Sequence, residues 1–230
     1  MKYKHLLFDA DNTLFDFTQG ERETFKELGK IYNFEVTPSL MADYHKINKA
    51  CWKAYEEGTL SQDKLRVLRF ENFINYFNFD MDSLQMERDF TSILSRQAHV
   101  IEDTHKVLSA FMAQGYQIQM ITNGLVESQY GRLKSTDIEK YFSNIFISGE
   151  MGCQKPDVEY FSIVLDKIKA KKEECLVIGD RLESDILGAM NSNIDCVWLN
   201  LKGDELSKEY KPTFIINKLV SLFDVLAMTF

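Results

Sequence analysis

Short apolar runs alternate with longer amphipathic stretches over much of this chain. Runs of this length that end in polar residues predict buried strands. They cover residues 6–8, 118–121 and 176–178, with further strands near Ile145 and Val197 and over residues 213–216. Helices are predicted over residues 104–114, 158–168 and 184–191. The alternation predicts an α/β fold whose core is a Rossmann-like parallel sheet wound with helices.

The stretch between the first and second strands has a helical pattern throughout. Candidate helices cover residues 21–32, 38–57, 61–77 and 83–96. Pro38 is typical of a first helical turn, and Ser61 is typical of an N-cap. Apolar residues at helical spacing, which should face the interior of a bundle, are Phe70, Phe73, Ile74 and Phe77. The sequence therefore predicts an α/β core at residues 1–16 and 98–230, interrupted by a helical domain at residues 17–97.

Composition narrows the classes of function. With 230 residues, 45% of them hydrophobic, the chain can bury a full core and a smaller second domain. Its net charge of −8 argues against binding to nucleic acid polymers or anionic membranes, because both need basic surfaces. We expect no membrane span and no signal peptide, because apolar stretches are short and the N-terminus leads directly into a strand. Four scattered cysteines then favour the cytoplasm, and a monomer or homodimer is expected.

Two carboxylates follow the first apolar run. Asp9 and Asp11 stand just past the predicted strand, and open α/β sheets bind ligands at such strand ends. One carboxylate can attack phosphorus and form an aspartyl-phosphate, while the other protonates the leaving oxygen and later deprotonates water. The alternative is an ordinary strand-to-helix turn, because Asp and Asn also cap helices.

Three further segments add groups that bind phosphate or a cation. Thr122 and Asn123 follow a strand and precede a glycine, so a hydroxyl and backbone N–H groups can bind phosphoryl oxygens. Lys155, just before a proline, offers a compact positive charge. Asp180 and Asp185 follow another strand and are typical ligands of a hard cation. The alternatives are a solvated loop for the lysine and an acidic helix cap for the aspartates.

The four aspartates concentrate negative charge where a phosphate must bind. A divalent cation, together with Lys155, would balance it. Mg²⁺ is the natural candidate, because it prefers one or two carboxylates, waters and the phosphate of a substrate. Zinc is not favoured, because the four histidines are scattered and the cysteines form no Cys-x-x-Cys pair.

These four segments, in this order, resemble the motifs of the haloacid dehalogenase superfamily of aspartate-nucleophile phosphohydrolases. The resemblance covers essentially the whole chain. The roles that it implies are nucleophile for Asp9, general acid and base for Asp11, phosphate binding for Thr122, the third-motif lysine for Lys155, metal ligand for Asp180, and support of the metal or of the lysine for Asp185. It also implies that the backbone carbonyl of Asp11 is a metal ligand.

Asp11 distinguishes reaction types within that superfamily. Dehalogenases lack this second aspartate, because displacing halide from carbon needs neither a leaving-group acid nor a metal. The resemblance therefore implies phosphate-ester hydrolysis or a phosphomutase. Residues 11–17, 121–124 and 179–185 resemble the pyrimidine 5′-nucleotidase branch, so the expected partner is a small phosphorylated metabolite such as a nucleotide. A β-phosphoglucomutase-type mutase, a phosphoglycolate or sugar phosphatase and an inactive phosphate-binding regulatory protein are the alternatives.

In the resembling family the helical insert is a mobile cap that closes over the active site and selects the leaving group. Residues 14–18 are interpreted as one side of its hinge. Phe17 is a candidate contact for a nucleobase or sugar, and packing at the hinge is the alternative. Arg69 is a candidate clamp for a distal anion, and a solvent-facing helix surface is the alternative.

Overall fold

The computed structural model describes residues 2–227. Its strands are β1 (His5–Phe8), β2 (Gln117–Thr122), β3 (Asn144–Ile147), β4 (Cys175–Gly179), β5 (Asp195–Leu199) and β6 (Phe214–Ile216). They form one parallel sheet in the order β3-β2-β1-β4-β5-β6. The α/β class predicted from the sequence is confirmed, and every predicted strand is present.

The sheet is buried on both faces. Along β1, Leu6 and Phe8 pack into one hydrophobic cluster, together with Phe111, while Leu7 points to a second cluster that contains Phe161. Strands that are covered on both faces need apolar residues at every position, so they read as continuous apolar runs. This is why the strands were predictable from the sequence.

Four helices follow β1 and precede β2. They are α1 (Phe17–Tyr32), α2 (Pro38–Glu56), α3 (Gln62–Phe77) and α4 (Ser83–Leu94). The later helices are α5 (Thr104–Ala113), α6 (Val126–Thr136), α7 (Ser148–Met151), α8 (Val158–Ile168), α9 (Leu187–Asn191) and α10 (Leu222–Ala227). Within residues 2–227, no helix combines the length and the apolar character that crossing a membrane requires.

Capping residues set the starts of the insert helices. Ser61 accepts a hydrogen bond from the Lys64 N–H, and Pro38 lies in the first turn of α2, as predicted. Helix α1 begins at Phe17 and not at the predicted residue 21. The reason is that the Asp16 side chain accepts the Gln19 N–H at 2.9 Å and caps the helix earlier. The predicted helix 184–191 likewise begins earlier, as a π-helical turn over Leu182–Ile186 that leads into α9.

Helix α6 was not predicted from the sequence. Its buried residues are Ser128, Gln129, Arg132, Leu133 and Thr136. Leu133 is the only one of these that is apolar, so no hydrophobic stripe marks the helix. A polar face that is nonetheless buried indicates that α6 covers a polar region of the molecule.

The four insert helices enclose a hydrophobic cluster of their own. Phe25 of α1, Tyr44 of α2, Phe73 of α3 and Phe90 of α4 all belong to it. The ring centroids of Phe25 and Tyr44 are 4.3 Å apart, and those of Phe25 and Phe90 are 5.8 Å apart. Of the predicted interior stripe, Phe70, Phe73 and Ile74 are buried and Phe77 is partly buried.

The end of α2 and the first half of α3 contact the carboxyl edge of the sheet and the helix α6 beside it. Tyr55 Oη donates to Ser148 Oγ at 3.0 Å, and Arg66 of α3 forms an ion pair with Glu127 of α6 at 3.2 Å. Gln62 Nε2 donates to the backbone carbonyl of the residue after Thr122 at 3.3 Å. The insert therefore covers the end of the sheet where the candidate site lies.

Candidate active site

The polar residues that follow three neighbouring strands meet at one edge of the sheet. Asp9 follows β1, Thr122 ends β2 and Asp180 follows β4. In sheets of this order, ligands bind outside the carboxyl ends of the central strands. The fold thus assembles the site from residues that are far apart in sequence.

Lys155 lies at the centre of the site, with 1% of its side chain exposed. Its Nζ donates to Asp9 Oδ1 at 2.7 Å, to Asp185 Oδ1 at 2.6 Å and to the Ile121 carbonyl at 3.0 Å. An ammonium has three protons, so its hydrogen bonds are complete. Burial alone would lower the pKa of Lys155, but the charges of Asp185 and Asp9 raise it above its usual value. Lys155 is therefore a fixed positive charge.

Asn123 holds the backbone of Lys155. Its Nδ2 donates to the Lys155 carbonyl at 2.8 Å, and its Oδ1 accepts the Lys155 N–H at 2.9 Å. Asn123 was predicted to take part in phosphate binding, with backbone N–H groups as the donors, and the structure shows its side chain engaged at both ends with Lys155. A contact between Asn123 and phosphate would come from its backbone N–H.

The Thr122 hydroxyl is oriented by two donors. Its Oγ1 accepts the Gly124 N–H at 3.0 Å and Gln129 Nε2 at 3.0 Å. A hydroxyl oxygen that accepts two hydrogen bonds has used both lone pairs, so its proton is available to an anion. The same Gln129 amide donates to Asp11 Oδ2 at 3.0 Å. One buried side chain of α6 therefore fixes two residues of the site.

Asp11 also contacts an arginine. Arg132 Nη1 lies 2.6 Å from Asp11 Oδ1, and the pair is close without being aligned as a hydrogen bond. The chain turns sharply after Asp11, because Asn12 adopts a left-handed conformation with φ of 58°. The Asn12 side chain accepts the Thr18 N–H at 3.2 Å, which ties this turn to the start of α1.

Three carboxylates could hold a cation. Asp9, Asp180 and Asp185 each offer an oxygen, and these oxygens lie within 4.8 Å of one another. Burial and the charges of Asp9 and Asp185 raise the pKa of Asp180 well above its usual range. Burial and the charge of Asp185 also raise the pKa of Asp9 to about 7, against the opposing effect of Lys155. A divalent cation fits this set, because hard oxygen donors carry an excess of negative charge.

The three carboxylates are not equivalent. Both oxygens of Asp185 are engaged, since Oδ1 accepts from Lys155 and Oδ2 accepts the Arg181 N–H at 3.0 Å. Asp180 Oδ1 is buried and has no hydrogen-bond partner. Asp185 therefore orients Lys155, and Asp180 has an oxygen available to a cation.

The structure gives the two candidate specificity residues different surroundings. Phe17 is partly buried and its ring centroid lies 5.5 Å from the Arg132 guanidinium, beside Asp11. Arg69 is buried within the insert, with its guanidinium 4.8 Å from the ring centroids of both Phe70 and Phe90. These contacts give Arg69 a packing role in the insert and do not bring it to the core residues of the site.

Sequence reasoning missed several side chains around the site. They are Glu56, Gln129, Arg132, Tyr160 and Arg181. Tyr160 Oη accepts the Thr122 N–H at 3.0 Å and donates to the Phe146 carbonyl at 2.8 Å. Arg181 forms an ion pair at 2.9 Å with Glu56 of the insert, whose side chain is 8% exposed. Arg181 lies within the fourth motif but no role was predicted for it, and the other four belong to no short motif. A local signal for Gln129 was Gly124, where an added Cβ would clash with the Gln129 side chain.

The fold and this buried set of carboxylates, lysine and threonine define the chain as an α/β enzyme. The sequence pattern of the haloacid dehalogenase-like hydrolases matches residues 3–193. The chain therefore belongs to that family of hydrolases, as its motifs predicted.

Similar proteins cover nearly the full chain. The pyrimidine 5′-nucleotidase PynA of Streptococcus pneumoniae is 31% identical, over 98% of this chain and 96% of its own length. The pyrimidine 5′-nucleotidase YjjG of Escherichia coli is 30% identical, over 98% of this chain and 99% of its own length. The crystal structure of the HAD-hydrolase YfnB of Bacillus subtilis, bound to magnesium, superposes with a TM-score of 0.92 at 31% identity, covering 99% of this chain and 100% of that one.

Proposed function

We propose that this protein is a magnesium-dependent phosphatase that hydrolyses pyrimidine nucleoside 5′-monophosphates through an aspartyl-phosphate. The observation that carries the proposal is the buried Asp9–Lys155–Asp185 array, with Asp11 two residues from Asp9. A protein that only binds phosphate would need the positive charge of Lys155. It would have no need of a second carboxylate beside a nucleophile.

In the first half-reaction, an Asp9 oxygen attacks phosphorus and the bond from phosphorus to the ester oxygen breaks. Lys155 holds Asp9 in place through their hydrogen bond. The Thr122 hydroxyl donates to a phosphoryl oxygen, where negative charge develops. Asp11 transfers its proton to the departing alkoxide. The products are an alcohol and the aspartyl-phosphate.

In the second half-reaction, Asp11 is ionised and takes a proton from water as the water oxygen attacks phosphorus. The bond from phosphorus to Asp9 breaks, and inorganic phosphate leaves. Asp9 is again a carboxylate and Asp11 has regained its proton. The two residues therefore return to their starting states after one turnover.

Mg²⁺ is the cation that we propose for the acidic cluster, held by Asp9, Asp180 and the backbone carbonyl of Asp11. When bound, it supplies positive charge to the phosphoryl oxygens and balances the carboxylates. The raised pKa values of Asp9 and Asp180 support this assignment, because they report excess negative charge. So does the magnesium bound to the related hydrolase YfnB.

We also propose that residues 17–97 form a cap domain on a core of residues 1–16 and 98–230. The separate hydrophobic cluster of the insert and its contacts with the carboxyl edge of the sheet support this division. A cap above the site would exclude water during the first half-reaction. The structure of YfnB is described as revealing interdomain movement, which fits such a cap.

The choice of pyrimidine nucleotides rests on the relatives PynA and YjjG, which bear that name over almost their full lengths. We test it with phosphate release from pyrimidine and purine nucleoside monophosphates, sugar phosphates and phosphoglycolate, with Mg²⁺ or chelator. Preferential, metal-dependent hydrolysis of pyrimidine monophosphates supports the proposal. Preference for another monoester would agree with the proposed mechanism and would refute the assignment of pyrimidine nucleotides as the substrate. Bisphosphate-dependent isomerisation of a sugar phosphate would identify a mutase.

The metal assignment gives a prediction that needs no substrate. Mg²⁺ should raise the unfolding temperature of the wild type, because it binds the folded state alone. In Asp180→Asn we expect most of that shift to disappear, and the Mg²⁺ concentration for half-maximal activity to rise about 10-fold or more. Thermal unfolding and activity titrations measure the two effects. Asp204→Asn, in an exposed loop, is the control, and a wild-type metal response in Asp180→Asn would contradict the assignment.

Gly124 is predicted to be essential for the geometry of the site. An added Cβ would clash with the Gln129 amide, which holds both Thr122 and Asp11. We expect Gly124→Ala to lower kcat about 10²-fold, because small displacements of catalytic groups have effects of this size. Steady-state kinetics measure it. Gly20→Ala, where the added Cβ lies 3.4 Å from its nearest neighbour, should keep wild-type kcat.

A further inference from the structure

We propose that Arg132 of α6 is a positioning residue that sets the orientation of the Asp11 carboxylate and couples it to the hinge of the helical insert through Phe17. The inference rests on the proposed function, because it concerns the residue that we assign as general acid and base. Nothing in the four motifs includes Arg132.

Two side chains of helix α6 contact the Asp11 carboxylate. Arg132 Nη1 lies 2.6 Å from Asp11 Oδ1, and Gln129 Nε2 donates to Asp11 Oδ2 at 3.0 Å. Two groups on opposite oxygens fix the plane of the carboxylate. Asp11 Oδ1 has no aligned hydrogen bond, so it keeps the capacity to exchange a proton with the leaving oxygen or with water.

Arg132 is unusual in its burial. Its side chain is 3% exposed, and arginine is rarely buried so completely unless it is paired. Asp11 is the carboxylate that pairs with it. A buried charge of this kind is costly to desolvate, so stability alone does not account for it. Arg132 contacts Asp11, the residue that we assign as general acid and base, so we assign the arginine the function of orienting that carboxylate.

Two aromatic rings support the guanidinium. Arg132 Cζ lies 4.6 Å from the ring centroid of Phe15 and 5.5 Å from that of Phe17. Phe15 is fully buried, whereas Phe17 is the first residue of α1 and only partly buried. The Phe17 ring therefore moves whenever the start of the insert moves. Arg132 transmits that displacement to Asp11, because the arginine contacts the Phe17 ring by a cation–π interaction and the Asp11 carboxylate by an ion pair.

If Arg132 positions Asp11, replacing the arginine should cause a specific defect in turnover. Asp11 acts on protons that move only in the transition states, so a misoriented Asp11 lowers kcat and leaves KM nearly unchanged. With 4-nitrophenyl phosphate the leaving group needs no proton, so the first half-reaction is spared. The second half-reaction still needs Asp11 as a base. The phosphoenzyme should therefore accumulate.

The experiment compares Arg132→Met, Arg132→Lys and Phe17→Leu with the wild type. For the preferred monoester, we expect Arg132→Met to lower kcat about 10²-fold with KM changed less than about threefold. Arg132→Lys should recover part of that loss, and Phe17→Leu should give a smaller loss. In acid-quench experiments with 4-nitrophenyl phosphate, the phosphoenzyme fraction should rise in Arg132→Met. Lys134→Met, exposed on the same helix, is the control and should match the wild type.

The outcomes separate this inference from the proposed function. If the wild type hydrolyses none of the monoesters, the proposed function fails and the inference fails with it. If the wild type is active and Arg132→Met keeps its kcat, or loses activity without a higher phosphoenzyme fraction, only the inference is overturned. If Arg132→Met does not fold, Arg132→Lys and Phe17→Leu decide the question by the same phosphoenzyme measurement.

Discussion

Asp9→Asn is expected to lower phosphate release at least about 10³-fold while the unfolding temperature stays at or above that of the wild type. The loss of activity follows because a neutral amide cannot form the aspartyl-phosphate. The stability follows from the surroundings of Asp9. Burial and the charge of Asp185 raise the pKa of Asp9 to about 7, so its ionised form is disfavoured in the folded protein. Asparagine has no charge to bury.

Phosphate release and thermal unfolding without metal, both at pH 8, measure the two effects. Asp204→Asn removes a carboxylate from an exposed loop and should change neither quantity. Residual activity of Asp9→Asn near the wild-type level would refute the nucleophile assignment. A marked drop in its unfolding temperature would show that the Asp9–Lys155 hydrogen bond outweighs the repulsion between carboxylates.

Lys155→Met is expected to lower both the stability of the fold and the rate of phosphate release. It leaves Asp9 and Asp185 buried without their cation, and loss of one partner from such an array costs about 3–5 kcal/mol of unfolding free energy. Activity should fall at least about 10³-fold, because Asp9 loses the group that holds it. Denaturant unfolding and phosphate release measure the two effects. Lys134→Met is the matched control on an exposed helix surface.

Added Mg²⁺ makes the Lys155→Met result more specific. If the cation lies among the same carboxylates, it should restore part of the lost stability. It should not restore activity, because Lys155 also donates to the Ile121 carbonyl and so fixes the geometry around Asp9. A Lys155→Met protein with wild-type stability would contradict the view that this lysine balances buried charge.

The sequence was sufficient to predict the sheet and the insert because both follow apolar periodicity. Burial on both faces made β1 and β4 continuous apolar runs and β2 an apolar run interrupted by Gln119, and the insert helices carry regular apolar stripes. Helix α6 has neither signal. Its buried face consists mostly of polar residues, of which Gln129 and Arg132 contact the site, so hydrophobic periodicity could not reveal it.

The same reason explains which site residues were predictable. Asp9, Thr122 and Asp180 lie just past or at the ends of recognisable strands, and topology brings strand ends together. Gln129 and Arg132 reach the site from the side of a helix, which no strand pattern indicates. Arg69 shows the reverse limit of sequence patterns. It was a candidate clamp for a distal anion, with a solvent-facing helix surface as the alternative, and the structure buries it against two aromatic rings within the insert.

The central position of β1 has a consequence for how the protein is made. His5 pairs with Gln117 on one side and with Cys175 on the other, so β1 has no partner in the sheet until a further stretch of more than 100 residues, which includes the helical insert, has been synthesised. The insert helices contact one another locally and can assemble during that interval. A nascent chain that ends before β4 lacks both Asp180 and one neighbour of β1. Catalytic competence therefore arrives late in translation, after the helical insert has had time to fold.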